Sequence, residues 1–458
     1  MNVCKRITLT CLSLLVLGLV PFGAAFAQVR VTAAMPSSAY QGTISLDVIV
    51  SGSGFDNSAK VQYFLSGTTN PGGITVKKVA FHNSQELVTT LDVADAAVLA
   101  NFDIQVTLSD GRKGKGTTLF AVKAVPIYPA ATFWQAFTSN GGDTVAASRL
   151  YMFGGSTVVS SGPIDLNDLW SYASAGSTGA TWTFIRPGKF SPGPRHHVGW
   201  SCGGGRCVTS NGGYVGPLKE TWVFTESNSS WSQVNCSGRR VVCPSARLHP
   251  TMAYDPLHLT HVLFGGSKGG VAFNDTFTFS PDAMTWANNG ISSVVPARSR
   301  AAAKFVPALG RIVMFGGQQE NVRALNDMYS WSGSAWAPVL QVVDATLSAV
   351  PSLHSHSIAW DPTLSRLVVT GGLVDVSDTP NTATFYVTFS SVGGAWKANW
   401  TLASGIGCQS AAGSPPDPDV HPEARVAFDI PSGVQVFYGG VENVGGSVFA
   451  YGNTVQCR

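Results

Sequence analysis

The chain carries little charge. Only 12% of its 458 residues are charged, and the formal net charge is +3. Lys5 and Arg6 lie in an N-terminal segment that we expect to be removed. Subtracting these two from 29 basic residues leaves 27, against 26 acidic residues, a net charge of +1. A surface so close to neutral argues against nucleic acid or an anionic membrane as the main partner.

The chain also has few cysteines, no metalloprotease motif and no phosphate-binding loop. After residue 27, no apolar run is long enough to span a membrane. What is abundant is glycine, with 50 residues, and aromatic side chains, at 10% with 12 Trp. This composition is typical of a β-rich protein with many turns, and 458 residues predict two or more domains.

Residues 1–27 have the pattern of a secretory signal peptide. Lys5 and Arg6 precede the apolar run from Ile7 to Val20, and small residues around Ala25 and Ala27 offer a cleavage site. An uncleaved membrane anchor is the alternative, but the apolar run is short for one. We predict an exported protein, secreted, periplasmic or at the cell surface, whose mature chain begins at Gln28.

Cleavage leaves six cysteines, an even number that favours disulfides in an exported protein. Proximity predicts the pairs Cys202–Cys207 and Cys236–Cys243, which leaves Cys408 with Cys457. Six cysteines allow fifteen pairings, so proximity alone supports this choice. Metal binding is the rival explanation, and no Cys-x-x-Cys pair favours it.

Residues 28–124 contain neither Trp nor Cys and predict a β-sandwich of short strands separated by turns. The stretch around Gly42, and Val48 through Gly52-Ser53-Gly54-Phe55, resembles the IPT/TIG family of immunoglobulin-like domains. That resemblance implies a spacer or adhesive module. Val125 to Ala131 is a candidate linker. The predicted strands are Ile44 to Val50, Lys60 to Leu65, Ile74 to Ala80, Leu87 to Val93, Asp103 to Leu108 and Thr117 to Val122.

A double glycine recurs six times after residue 131, at intervals of 58, 53, 51, 55 and 68 residues. Most pairs follow an apolar run, a strand with an aromatic residue comes next, and a Trp opens a further strand in all but the last copy. Self-similarity near 50 residues is typical of propeller blades. The pairs are Gly154-Gly155, Gly212-Gly213, Gly265-Gly266, Gly316-Gly317, Gly371-Gly372 and Gly439-Gly440, and the Trp residues are Trp182, Trp231, Trp286, Trp336 and Trp396.

These repeats resemble kelch motifs, which have the same Gly-Gly, Asn-Asp-aromatic and Trp order. The resemblance implies an all-β chain in which residues 125–458 form a six-bladed β-propeller of four-stranded sheets around a channel, after the sandwich of residues 28–124. We expect the repeated Trp side chains to pack between blades.

Basic residues recur just before the first strand of each repeat. If they point inward, they form a ring of Arg and His at one channel mouth that matches carboxylates, sulfates or acidic side chains. The alternative is that the arginines bond carbonyls and acids within their own blades. The candidate binding residues are Arg195, His197, Arg247, His249, Arg298, Arg300, His354, His356 and Arg425.

Histidines near these strand starts prompt a metal hypothesis, because three converging imidazoles bind copper or zinc. They are His196, His197, His249, His354, His356 and His421. The kelch enzyme family of galactose oxidase uses two Tyr, two His and a Cys cross-linked to one Tyr at its copper, and that set has no match here. We therefore predict no metal, no cofactor and no catalytic residue.

Three functions follow from these patterns. The first is an exported, non-catalytic binding protein, monomeric, that recognises a glycan or protein at a channel mouth. The second is a carbohydrate-active or galactose-oxidase-like enzyme that uses His and Arg at the mouth. The third is a structural envelope or adhesion protein. Fold alone does not decide between them.

Overall fold

The structure is a computed structural model, and it describes part of the chain. The predicted signal peptide and most of the candidate linker lie outside the described residues. These are 28–125, 129, 132, 135–140, 149–159, 162–174, 180–185, 191–213, 216–238, 240–320, 322–374, 379–393, 395–403, 408–410, 425–429, 434–439, 441–444, 447–450 and 454–457.

The chain is all-β, as predicted. Among the described residues the helical content is a single 3-10 turn, Glu226–Asn228, and no helix is long and apolar enough to cross a membrane. Glycine and proline at turns and β-branched or aromatic residues in alternation favour strands throughout.

Eight strands form two sheets that enclose one apolar core. The strands are β1 (Arg30–Met35), β2 (Ser38–Tyr40), β3 (Leu46–Ser53), β4 (Lys60–Leu65), β5 (Ile74–Asn83), β6 (Glu86–Val93), β7 (Asn101–Thr107) and β8 (Lys113–Lys123). The sheet orders are β1-β3-β6-β5 and β2-β8-β7-β4. Val48, Leu87, Phe102 and Phe120 lie in the core between them. All six predicted strands are present, whereas β1 and β2 were not predicted.

The rest of the chain forms six further sheets, which we number 1 to 6 in chain order. The strands of sheets 1 to 3 are β9 (Ala136–Ser139), β10 (Leu150–Phe153), β11 (Ser156–Val159), β12 (Gly162–Asp165), β13 (Leu169–Ser174), β14 (Ala180–Ile185), β15 (Gly199–Gly203), β16 (Arg206–Ser210), β17 (Thr221–Thr225), β18 (Ser230–Gln233), β19 (Thr251–Asp255), β20 (Thr260–Phe264), β21 (Ser267–Lys268), β22 (Val271–Ala272), β23 (Asp275–Ser280) and β24 (Thr285–Ile291).

The strands of sheets 4 to 6 are β25 (Ala302–Val306), β26 (Arg311–Phe315), β27 (Gln318–Gln319), β28 (Arg323–Ala324), β29 (Met328–Trp331), β30 (Trp336–Pro338), β31 (Leu340–Val343), β32 (Ser357–Asp361), β33 (Arg366–Thr370), β34 (Thr384–Val392), β35 (Ala395–Leu402), β36 (Cys408–Ser410), β37 (Arg425–Asp429), β38 (Val434–Tyr438), β39 (Val441–Val444), β40 (Ser447–Ala450) and β41 (Thr454–Cys457).

Each of the six sheets is an antiparallel meander with two departures. Sheets 1 to 4 are β9-β10-β13-β14, β15-β16-β17-β18, β19-β20-β23-β24 and β25-β26-β29-β30. Sheet 5, β32-β33-β34-β35, gains a fifth strand because β31 pairs parallel to β35. Sheet 6 is β37-β38-β41-β36, so its outer strand comes from the segment before its first strand. Two-stranded hairpins β11-β12, β21-β22, β27-β28 and β39-β40 protrude between second and third strands.

The first strands of the six sheets contact each other in a closed cycle. β9 contacts β15, β15 contacts β19, β19 contacts β25, β25 contacts β32, β32 contacts β37, and β37 returns to β9. The six strands therefore surround a channel, and the same end of every strand begins at the same mouth.

The glycine pairs join neighbouring sheets. Gly265 and Gly266 have φ of 63° and 96°, and the N–H of Gly266 donates to the Arg298 carbonyl of the next sheet at 2.9 Å. A Cβ on Gly265 would lie 2.3 Å from that carbonyl, so only glycine fits. In the second repeat the equivalent pair is Asn211–Gly212, with φ of 62° and 72°, rather than the predicted Gly212–Gly213. Asn tolerates this left-handed region better than most residues.

The repeated Trp side chains pack between sheets. Trp286 donates its indole N–H to Thr221 Oγ1 of sheet 2, and Trp336 donates to Thr276 Oγ1 of sheet 3, both at 3.0 Å. In sheet 5 the residue with this role is Trp400, whose ring centroid lies 4.5 Å from that of Phe315 in sheet 4. The prediction of Trp396 was wrong, because the β34–β35 hairpin is longer than its counterparts.

Candidate functional site

The cavity at the channel mouth where the first strands begin is lined by five of the nine predicted binding residues. Its volume is about 150 Å³. We call this site the His–Arg mouth, and no Asp or Glu lines it among the described residues. The five residues are His197, His249, Arg300, His356 and Arg425.

A left-handed turn directs three of these side chains into the mouth. His197, His249 and Arg300 each lie two residues before a first strand and have φ of 53°, 54° and 58°. Ser355 has the same place before β32, with φ of 56°. Because a positive φ is costly for residues other than glycine, its repetition shows that the surrounding contacts hold this conformation firmly.

Backbone hydrogen bonds link the four turns around the axis. The N–H of His249 donates to the His197 carbonyl at 3.0 Å, that of Arg300 to the His249 carbonyl at 3.0 Å, and that of Ser355 to the Arg300 carbonyl at 2.9 Å. The side chains at the mouth therefore sit on a rigid rim that spans sheets 2 to 5.

Arg425 continues this rim with its side chain. Its Nη1 donates to the Ser355 carbonyl at 2.6 Å, and its Nε donates to the Gln135 carbonyl at 3.2 Å. Arg425 is the first residue of β37, four positions beyond the place that Arg195, Arg247 and Arg298 have in their sheets. The guanidinium thus joins sheets 5 and 1 across sheet 6.

Arg195, Arg247 and Arg298 do not line the mouth, so the predicted ring of equivalent arginines was wrong for these three. They are 1%, 0% and 1% exposed. Arg247 makes a bidentate pair with Asp275 and donates to the Gly265 carbonyl at 2.8 Å, and Arg298 does the same with Asp327 and the Gly316 carbonyl. Arg195 pairs with Glu220 at 2.7 Å.

The physical reason is that a buried guanidinium needs acceptors for its donors, and each sheet supplies an acid and a carbonyl in fixed positions. These are the within-repeat bonds that formed the alternative prediction. In sheet 1 the acid at the same place is Asp168. Burial raises the pKa of Asp168 to about 6, against the opposing effects of a hydrogen bond from Trp170 and the charge of Lys123.

The imidazoles at the mouth are held neutral. Burial lowers the pKa of His197 and His249 well below the usual range, and each other's charge, Arg300 and Arg425 add to the effect. Their rings stack with centroids 3.7 Å apart. Burial also lowers the pKa of His356 to about 3, with smaller effects of His354 and Arg425. The fixed positive charge of the mouth therefore belongs to the two arginines.

Two side chains at the mouth retain unused hydrogen-bonding groups. His356 is 3% exposed, and neither of its ring nitrogens has a hydrogen-bond partner among the described residues. Arg300 makes no ion pair within the described part of the chain, and its buried Nε lacks a partner there. Unsatisfied buried donors are costly, so these groups indicate a place for an acceptor.

The remaining predicted residues lie elsewhere. His354 is fully buried beside the mouth and does not line its cavity. His196 pairs with Asp165 through Nδ1. His421 lies outside the described residues. No group of three His, Cys, Asp or Glu in the described ranges is arranged to hold a metal ion.

Two of the three predicted disulfides are confirmed. Cys202–Cys207 has an S–S distance of 2.03 Å and crosslinks opposite positions of β15 and β16, and Cys236–Cys243 has 2.10 Å. Cys408 and Cys457 face each other in the register of β36 and β41. Their side chains lie outside the described part, so the third bridge stays a prediction.

Residues 265–269 fit the Gly-x-Ser-x-Gly pattern of a serine nucleophile, which the sequence prediction had missed. In a nucleophile elbow the serine lies between a strand and a helix. Ser267 instead begins the hairpin β21-β22, and its backbone bridges to Leu248. No histidine is bonded to its hydroxyl among the described residues, so this pattern provides no catalytic pair.

No protein-family model matches the chain.

Proposed function

We propose that the chain is an exported, non-catalytic binding protein. It has an IPT/TIG-like immunoglobulin-fold module followed by a six-bladed kelch-type β-propeller, and it binds an anionic group of a glycan or protein at the His–Arg mouth. The closed cycle of six first strands supports the propeller, and the two disulfides support an oxidising compartment.

The observation that carries this proposal is a positively charged cavity without a counter-charge. Arg300 and Arg425 supply fixed charge, and no carboxylate lines the cavity among the described residues. A carboxylate or sulfate oxygen accepts charge-assisted hydrogen bonds from guanidinium groups. Neutral His249 and the unpartnered nitrogens of His356 add donors and acceptors that fix the orientation of the rest of the ligand.

Binding of two matched probe pairs tests the proposal. Heparin fragments are compared with their desulfated forms, and an acidic peptide with its amide counterpart, by titration calorimetry at low and physiological salt. Binding of the charged member of either pair, weakening as salt rises, is the expected result, and the pair that binds tells glycan from protein.

Arg300→Gln is the most informative variant, because Arg300 makes no side-chain ion pair that its loss would break. Affinity should fall about tenfold or more, since a hydrogen bond to a charged group contributes about 1.5–3 kcal/mol. Arg323→Gln, on the exposed hairpin strand β28, is the control and should bind as wild type. If neither charged probe binds, or if both variants behave alike, a structural or adhesive role replaces a binding one.

A further inference from the structure

A second cavity occupies the other end of the same channel. Its volume is about 330 Å³, and all six sheets contribute to its lining. The residues come from the ends of the first strands, whereas those of the His–Arg mouth come from their beginnings. This size falls within the range of small-molecule sites.

Aromatic residues recur at one position around this end. The fourth residue of β19, β25, β32 and β37 is aromatic in each case. We call these four residues, Tyr254, Phe305, Trp360 and Phe428, the aromatic mouth. In three of the four a proline follows two residues later and ends the strand.

The aromatic rings do more than fill space between sheets. Tyr254 lies against Gly203, where a Cβ would meet its ring at 1.9 Å, and Phe428 is 4% exposed. Phe305 and Trp360, in contrast, keep part of their surface open to the cavity. Such an arrangement of half-exposed rings beside a cavity is typical of a surface that accepts an apolar group.

Lys304 brings a charge to the bottom of this apolar cavity. It precedes Phe305 on β25 and lines both cavities, so it lies between the two mouths. Its Nζ is 3.3 Å from Thr138 Oγ1 and 3.4 Å from Ser139 Oγ, and it makes no ion pair within the described ranges. Burial lowers the pKa of Lys304 to about 8, so the amine still carries its proton at pH 7.

An enclosed ammonium with two weak hydroxyl contacts lacks the partners that usually accompany a buried charge. A neutral apolar ligand would leave it unpaired, and a cation would be repelled by it. A carboxylate would both neutralise the charge and accept its hydrogen bonds.

We propose that the aromatic mouth binds a small organic acid. The carboxylate pairs with Lys304 Nζ, and the apolar body, an aromatic ring or a short aliphatic chain, lies against Phe305 and Trp360. This site is independent of the function proposed for the His–Arg mouth, because the two mouths share only the central channel lining.

Titration calorimetry with 3-phenylpropionate and its neutral analogue 3-phenylpropan-1-ol tests this site. Wild-type protein should bind the acid about tenfold more tightly than the alcohol, since a charge-assisted hydrogen bond is roughly twice as strong as a neutral one. Lys304→Met should reduce the affinity for the acid to that for the alcohol. Lys268→Met, at an exposed position of β21, is the matched control. Trp360→Ala should weaken both ligands.

Two further arms keep the outcome clear. Arg300→Gln should leave 3-phenylpropionate binding unchanged, which separates this site from the His–Arg mouth. If Lys304→Met does not give the wild-type circular dichroism spectrum, Lys304→Gln replaces it. Equal affinity of acid and alcohol for the wild type, full binding of the acid by a folded Lys304 variant, or no saturable binding at all would each overturn the proposal.

Discussion

The indole N–H of Trp182 donates to Thr454 Oγ1 at 2.8 Å, and this bond joins sheet 1 to sheet 6. The two residues are 272 positions apart in the sequence. The bond repeats the contacts of Trp286 with Thr221 and of Trp336 with Thr276. The seam between the last sheet and the first is therefore built like the seams inside the chain. Trp182 also lies edge-on to Tyr438, with ring centroids 5.1 Å apart.

Thr454→Val should destabilise the protein by about 1–2 kcal/mol, because the indole N–H loses its acceptor while the shape is kept. The matched variant Thr276→Val should cost a similar amount at an internal seam. Urea unfolding with linear extrapolation measures both. A loss at Thr276 with none at Thr454 would mean that the closing seam does not contribute to the cooperative fold.

Arg247 should be a stability residue rather than a binding residue. Arg247→Met leaves the Asp275 carboxylate without its bidentate partner and should cost about 3–5 kcal/mol, the range for breaking a buried pair by removing one side. Arg300→Met, two residues beyond the equivalent Arg298, should change the free energy of unfolding little. Thermal and urea unfolding compare the two. Equal stability of both variants would contradict the assignment of Arg247 to the sheet.

Acid should destabilise the fold through histidines that are buried in neutral form. Burial lowers the pKa of His261 and His356 to about 3, below the unfolded value of 6.5. Between these values the unfolded chain binds more protons, so stability should fall as the pH drops from about 6.5 towards 3, by up to about 1.4 kcal/mol per pH unit for each histidine. Urea unfolding as a function of pH measures the slope.

His356→Gln should make this slope shallower, because one titrating group is lost. The exposed His82 on β5 provides the control, and His82→Gln should leave the slope as in the wild type. An unchanged slope in His356→Gln would show that protonation of this ring does not drive acid unfolding.

The third disulfide should link Cys408 and Cys457. Their opposite positions in β36 and β41 bring the two backbones side by side. Peptide mapping without reduction should recover the linked pair, and thiol titration of unfolded, unreduced mature protein should find no free cysteine. Cys408→Ser should then destabilise the protein by about 2–4 kcal/mol. Recovery of Cys408 as a free thiol would remove this bridge.

The sequence by itself determined the β class, the repeats and two disulfides, because these depend on local alternation, turn residues and short separations. It placed Lys60–Leu65 correctly for the same reason. It did not determine which basic residues face the channel. Arg298 and Arg300 are two residues apart, yet the first is buried on Asp327 and the second lines the mouth, since a left-handed turn at Arg300 redirects the chain.

Tertiary structure likewise decided the roles of Trp400 and Lys304. A longer hairpin moved the indole from Trp396 to Trp400, and only the assembled register shows this. Lys304 looks in sequence like an ordinary strand lysine, and it becomes an enclosed charge because six strands that are distant in sequence close around it. Such closure depends on long-range contacts such as that of Trp182 with Thr454, for which no local pattern exists.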